Sequence, residues 1–313
     1  MWAIIPAVLM GWSLGANDAA NVFGLGVAVR AVRYWTAVGL TAGAVIVGAY
    51  LAGAAGFATY NALASQGLRS SFCVALAAGL TVTVMTWRGL PVSTTQAAVG
   101  AILGVALATG RDVEWGVLTR IVLSWITSPV AALLIAYLLH RVVSPRIERK
   151  LAGLLWYDRT VRLGIIGIGI WGAYALGANN VANVTGVYVG AGLVTVPIAA
   201  LIGGGSIALG VLTFSRPVME TVGERLVSLG SWPALLALTA QAVVLQVFSL
   251  IGVPVSASQA VVGAVVGIGL VKGVAEVNVR QLVAIFAGWV LTPLGAGGVG
   301  YLLWLGVAGF LPG

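Results

Sequence analysis

The sequence predicts an all-α polytopic membrane protein made of two inverted-topology repeats, each with about three spanning helices plus a re-entrant helical hairpin. Three observations carry this expectation. The 313 residues are 60% hydrophobic, only 8% are charged, and mean hydropathy is +1.07. Soluble domains carry about 25% charged residues, so lipid must solvate this chain. Two phrases also occur twice. Gly15 to Gly24 reads GANDAANVFG and Gly177 to Gly186 reads GANNVANVTG, while Pro91 to Gly104 reads PVSTTQAAVGAILG and Pro254 to Gly267 reads PVSASQAVVGAVVG. A weaker echo pairs Trp125–Pro129 with Trp289–Pro293, and all three pairs share an offset of 162 to 164 residues. One offset for three anchors means a duplicated half.

The elements follow in order. Apolar segments run over 2–28, 34–57, 68–87, 90–109 and 113–140, then over 163–190, 194–214, 233–250, 253–271 and 279–306. They are expected to be helices, because only helices and closed barrels satisfy the backbone in lipid and these runs lack strand alternation. The apolar start lacks a basic leader and cleavage site, so it is expected to be a retained span. Residues 233–271 are too long for one crossing at about 20 residues and leave almost no loop for two. A re-entrant hairpin fits, its tip at Pro254-Val255-Ser256; the first-half tip is at Pro91-Val92-Ser93-Thr94-Thr95. The division is 1–140 for the first membrane repeat, 141–162 for a basic cytoplasmic linker and 163–313 for the second.

Three crossings and one hairpin per half would turn the second repeat upside down. Twelve Lys and Arg residues then fall on the linker side: Arg30, Arg33, Arg141, Arg146, Arg149, Lys150, Arg159, Arg162, Arg216, Arg225, Lys272 and Arg280. Only Arg69, Arg111 and Arg120 fall opposite. The positive-inside bias puts the linker in the cytoplasm and both termini outside, in a multi-pass protein of the cell membrane. The same bias explains the net charge of +8 without nucleic acid as a partner. One cysteine, Cys73, excludes an internal disulfide, and one histidine, His140, excludes a His cluster. With no nucleophile and base to pair, no enzyme is expected.

A duplicated membrane protein with polar, Gly-rich breaks in its spans is built like a secondary transporter. Of eight acidic residues only Asp18 lies deep in an apolar segment, and a buried ionisable group in lipid marks a functional site. Asp18 with the amide oxygens of Asn17 and Asn21 is a hard-oxygen set suited to Na⁺ or a proton. The second copy offers Asn179, Asn180 and Asn183, and Asn180 replaces the carboxylate. Candidate cation ligands are therefore Asp18, Asn17, Asn21, Asn179, Asn180 and Asn183, with Na⁺ at Asp18, Asn21 and Asn183. The competing reading is that these groups cap a broken helix. Ser93, Thr94 and Thr95, with Ser256 and Ser258 opposite, each follow a Pro and open a Gly-rich helix. Helix N-termini attract anions, so these hydroxyls, with Asp18 and Asn180, are the candidate anion ligands. The competing reading is hydrogen bonding back to their own helices. Arg88 lacks a counterpart in the second half, where Ile251 stands, and reads as an interfacial residue; Gln96 and Gln259 match and read as supporting groups or helix contacts.

The doubled GANDAAN and PVSTT phrases resemble the inorganic phosphate transporter family of the Pit type, which includes sodium- and proton-coupled members and some sulfate permeases. The resemblance spans nearly the whole chain. It implies inverted repeats with re-entrant hairpins around a central anion site, and a homodimer. It also implies that cation and phosphate ligands fall on Asp18, Asn21, Asn180, Asn183, Ser93, Thr94, Thr95, Ser256 and Ser258. Two departures stand out: family members usually have Asp in both GAND copies, where this chain has Asn180 in the second, and many have His after Ser-Thr-Thr, where it has Gln96, with Gln259 opposite. The expected activity is import of inorganic phosphate with Na⁺ as coupling ion and no cofactor. The alternatives are a sulfate permease coupled to H⁺ or Na⁺, and, in another class, an anion channel.

Overall fold

The computed structural model describes residues 2–151, 157–224, 229–272, 279–307 and 309. Every regular element among them is helical. The first half holds α1 (Ile5–Ala28), α2 (Tyr34–Ala52), α3 (Ala54–Leu63), α4 (Leu68–Trp87), α5 (Thr94–Thr109) and α6 (Trp115–Leu138). A π-turn at Leu139–Val143 and α7 (Ser144–Leu151) lead to the second half. There α8 (Tyr157–Gly190), α9 (Val196–Phe214), α10 (Arg216–Glu224), α11 (Ser231–Leu250), α12 (Ala257–Lys272) and α13 (Val279–Val307) repeat the order. Among the described residues, seven helices are long and apolar enough to cross a membrane: α2, α4, α8, α9, α11, and the stretches Trp115–Ile147 and Leu282–Gly306.

The halves interlock by exchange. In the first half α1 packs on α9, and α2 packs on α8; α5 packs on α13, and α6 packs on α12. Small residues make these crossings close, as lipid-embedded helices require. Gly15 abuts the backbone of Ile207, and its counterpart Gly177 abuts Val45. Gly48 abuts Tyr174, and Gly210 abuts Trp12. Gly100 abuts Pro293, and Gly263 abuts Pro129. Each contact has its partner with the halves swapped, which is the signature of a pseudo-twofold axis. The equivalent helices α1 and α8 also run antiparallel, since Gly26 meets Ile165, Gly169 meets Phe23, and Gly11 meets Val184. The repeats are therefore inverted.

The hairpins are re-entrant. The start of α4 and the segment after α5 meet, where Arg111 Nη1 donates to Ser70 Oγ at 3.1 Å and to Ser65 O at 2.8 Å, and Glu114 N donates to Leu63 O at 3.0 Å. Their tip instead reaches Asn17, midway along α1. Left-handed Gly89 (φ 68°) and its counterpart Gly252 (φ 70°) turn the two tips, a conformation an L side chain resists. The tips themselves have no regular secondary structure, and Ser93 is extended.

Two features depart from the sequence reading. The short helices α3 and α10 follow the second helix of each repeat, where the sequence suggested one continuous segment and a loop. Gly53 ends α2 and lies against Val181, so the chain turns there to follow α8. Also α8 starts at Tyr157, within the stretch read as linker. Hydropathy marks where lipid contact stops, whereas the helix continues into charged turns through Asp158, Arg159 and Arg162. The linker is anchored too, as Trp232 Nε1 donates to Ser144 Oγ at 2.6 Å. Residues 152–156 of the linker and Arg225 lie outside the described residues, as do the side chains of Arg149, Lys150 and Lys272.

Candidate functional site

The two helix breaks are held by the two asparagines that open each repeated phrase. Asn17 Nδ2 donates to Leu90 O and to Thr86 Oγ1, both at 2.9 Å, while Val92 N donates to Asn17 Oδ1 at 3.2 Å. Asn179 does the same for the second tip: its Nδ2 donates to Val255 O at 2.8 Å, and Val255 N donates to its Oδ1 at 3.2 Å. An extended segment at membrane depth has no ladder partner and no water. The amide, with donor and acceptor side by side, replaces both. Asn17 and Asn179, expected as cation ligands, thus have both ends engaged by hairpin backbone.

Ser93 and Ser256 are helix caps. Gln96 N donates to Ser93 Oγ and Gln259 N to Ser256 Oγ, each at 3.2 Å. Ser256 and Ser258 hydroxyls lie 3.0 Å apart. Each cap orients an α-helix N-terminus toward the inside of the molecule, and both serines are buried.

Between the caps the repeats differ. Asp18 is 2% exposed. Its Oδ2 accepts from Thr94 Oγ1 at 2.8 Å, and its Oδ1 accepts from Asn21 Nδ2 at 3.1 Å. The amide oxygen of Asn21 is buried and accepts no hydrogen bond among the described residues. A carboxylate and an amide oxygen on one helix face form a hard, negative, buried site, and among the described residues no cationic side chain hydrogen-bonds to it. The second copy is neutral and closed. Asn180 Nδ2 donates to Leu176 O at 3.1 Å, and Asn180 Oδ1 accepts from Asn183 Nδ2 at 2.7 Å. Asn183 Nδ2 also donates to Thr95 Oγ1 at 3.0 Å, and Thr95 in turn donates to Val255 O at 3.0 Å. The Tyr60 hydroxyl, on α3, donates to Asn183 Oδ1. Thr95 thus ties the first hairpin to the tip of the second, and the two breaks meet at the pseudo-axis.

The structure brings Asp18, Asn21, Thr94, Thr95, Asn180 and Asn183 into this buried centre with Ser93, Ser256 and Ser258 on its helix caps. Arg88 ends α4, is exposed, and lies outside it. Gln96 and Gln259 line a groove of ≈490 Å³ between α5, α6, α12 and α13, and their buried Oε1 atoms lack partners among the described residues. Sequence reasoning missed Tyr60. Nothing in its neighbourhood repeats in the second half, so the duplication could not flag it.

The Asn-rich phrases, expected as breaks in their spans, lie within the uninterrupted helices α1 and α8, and inverted helical repeats whose hairpin tips meet such helices at a buried polar centre define an intramembrane transporter class. The model of the phosphate transporter family matches the chain twice, over residues 14–158 and 156–300. The chain belongs to the phosphate transporter family. It is similar to a provisional phosphate permease of Thermococcus kodakarensis, 29% identical over 93% of this chain and 94% of the relative. It is also similar to the sulfate permease CysP of Bacillus subtilis, 27% identical over 96% of this chain and 86% of the relative. Among solved structures, "The sodium-dependent phosphate transporter" superposes with a TM-score of 0.87 at 24% identity, covering 99% of this chain and 98% of that one. The shared fold is thereby shown.

Proposed function

We propose that the chain imports inorganic phosphate by Na⁺ symport, with the anion held between the capped N-termini of α5 and α12. The observation that carries this reading is the Asp18–Thr94 pair beside the unpartnered Asn21 oxygen. A buried carboxylate in an apolar bundle repels an anion until a cation neutralises it. Na⁺ at Asp18 and Asn21 therefore raises anion affinity, and the anion raises Na⁺ affinity equally. Thr94 sits on both sides of this linkage. Its hydroxyl touches Asp18, while its backbone N–H belongs to the unpaired first turn of α5. The helix dipole and these N–H groups draw the anion, and hydroxyls of Ser93, Thr95, Ser256 and Ser258 complete its shell. Asn17 and Asn179 act as braces of the breaks in this reading. The halves then rock about the pseudo-axis to open the centre inward, between repeats 1–140 and 163–313. The linker faces the cytoplasm and both termini face outward, in the cell membrane and as a homodimer.

A second reading is sulfate import, favoured by the similarity of the chain to the sulfate permease CysP. Phosphate near neutral pH donates a hydrogen bond and sulfate cannot, so an acceptor is needed for phosphate alone. Asp18 loses that capacity once a cation saturates it. Uptake of labelled phosphate and labelled sulfate into proteoliposomes, with and without an inward Na⁺ gradient, decides between them. Phosphate uptake that requires Na⁺ is the expected result. Sulfate uptake, or uptake driven by a proton gradient alone, would overturn it.

A further inference from the structure

Two-fold symmetry offers two equivalent places for a cation, one in each repeated phrase. We infer that only the first binds one, and that the second has been replaced by a neutral hydrogen-bond network closed by the Tyr60 hydroxyl, so that a single Na⁺ accompanies each anion. The inference rests on the Na⁺-symport reading above and fixes its stoichiometry.

Three substitutions act together. The carboxylate of Asp18 becomes the amide of Asn180, and the hydroxyl of Thr94 becomes the methyl of Ala257. The residue matching Tyr60 in the first repeat is Val222, which has no hydroxyl to donate. The consequences appear in the hydrogen bonds. Asn21 Oδ1 is buried and, among the described residues, has no donor to accept from, whereas its counterpart Asn183 Oδ1 accepts from the Tyr60 hydroxyl. Asp18 has two acceptor oxygens and one formal charge, met only by neutral donors. Asn180 has no charge, and both ends of its amide are occupied, by Leu176 O and by the Asn183 amide nitrogen. A cation bound there would have to displace Tyr60 from Asn183 and would find no carboxylate in return. Stripping a cation of water is repaid only by charge or a full oxygen shell. The first phrase offers charge and an open oxygen, and the second offers neither. Tyr60 is thus a positioning residue. It holds the Asn183 amide so that its Nδ2 binds Asn180 and Thr95, doing from within what an ion would do from outside.

The test is the flux ratio of the full-length wild-type protein in proteoliposomes, from initial rates of ²²Na⁺ and ³²P-phosphate uptake. One Na⁺ per phosphate and a Na⁺ titration with a Hill coefficient of about 1 are expected, since that coefficient cannot exceed the number of sites. Two Na⁺ per phosphate would overturn this inference while leaving the symport reading intact. Uptake without Na⁺ dependence would overturn both. The combined variant Tyr60→Phe, Asn180→Asp and Ala257→Thr restores charge, hydroxyl and open oxygen to the second phrase. Its ratio is expected to rise toward two, and an unchanged ratio in a monodisperse, transporting variant would sink the assignment of the second site. Asn180→Asp with Ala257→Thr, retaining Tyr60, gives a second reading of the same effect if the triple variant does not fold.

Discussion

At the scale of single residues, chemistry and scaffolding are divided within one short phrase. Asp18 carries the charge, and its neighbour Asn17 carries the hairpin. Asp18→Asn keeps the size and one acceptor oxygen, and its new amide N–H can donate to the Thr94 hydroxyl once that hydroxyl rotates, so the fold should survive, as judged by helical circular dichroism and a single size-exclusion peak. Na⁺-driven uptake should disappear, because the attraction that linked cation to anion is gone. Full Na⁺-dependent uptake by this variant would refute the proposed coupling. Asn17→Ala makes the opposite prediction. It strands Leu90 O, Val92 N and the Thr86 hydroxyl in a dry environment. Each unmet buried group costs about 1–3 kcal/mol. Thermal unfolding in detergent should therefore fall markedly for Asn17→Ala and, less steeply, for Asn179→Ala, which strands Val255 N while Val255 O still accepts from Thr95.

Elements fit together through glycines and prolines set opposite one another. Pro129 interrupts α6 and Pro293 interrupts α13, and each faces a glycine of the capped helix from the other half. The absent side chain lets α5 and α13 touch backbone to backbone, as it does α12 and α6. Gly100→Val would drive a branched side chain into Pro293, and overpacking of this kind costs about 1–3 kcal/mol. The expected outcome is a lower melting temperature and slower uptake, since the cap of α5 moves with the helix. A variant of unchanged stability and rate would mean that the close approach does not position the cap. The sequence exposed this layer only in part. Gly100 and Gly263 stood out as repeated, and Pro129 and Pro293 as an echo, but their pairing across halves required knowing that the repeats exchange helices.

For the whole molecule, orientation is the open geometric variable. Twelve basic residues against three are the basis on which we propose that the linker lies inside. Cys73 is 1% exposed, so the wild-type protein should resist a membrane-impermeant maleimide. Thr160, near the start of α8, is exposed. Thr160→Cys in a Cys73→Ser background should stay unlabelled in intact cells and label after the membrane is opened. Labelling from outside would invert the topology and turn the proposed direction of import around.

By itself the sequence determined the duplication, the positions of the long helices and the two breaks, because lipid imposes long apolar runs and tolerates polar, Pro-containing gaps only where they are built in. It also singled out Asp18, since a lone acid in an apolar run has no other explanation at hand. Only the tertiary structure decided what each polar residue does. Hydrogen-bond partners lie as far apart in sequence as Tyr60 and Asn183 or Thr95 and Val255. Residue spacing records which face of a helix a group shares, but says nothing of what another helix brings to meet it. That is why two copies of one phrase, nearly identical in letters, fold into one open charged site and one closed neutral one.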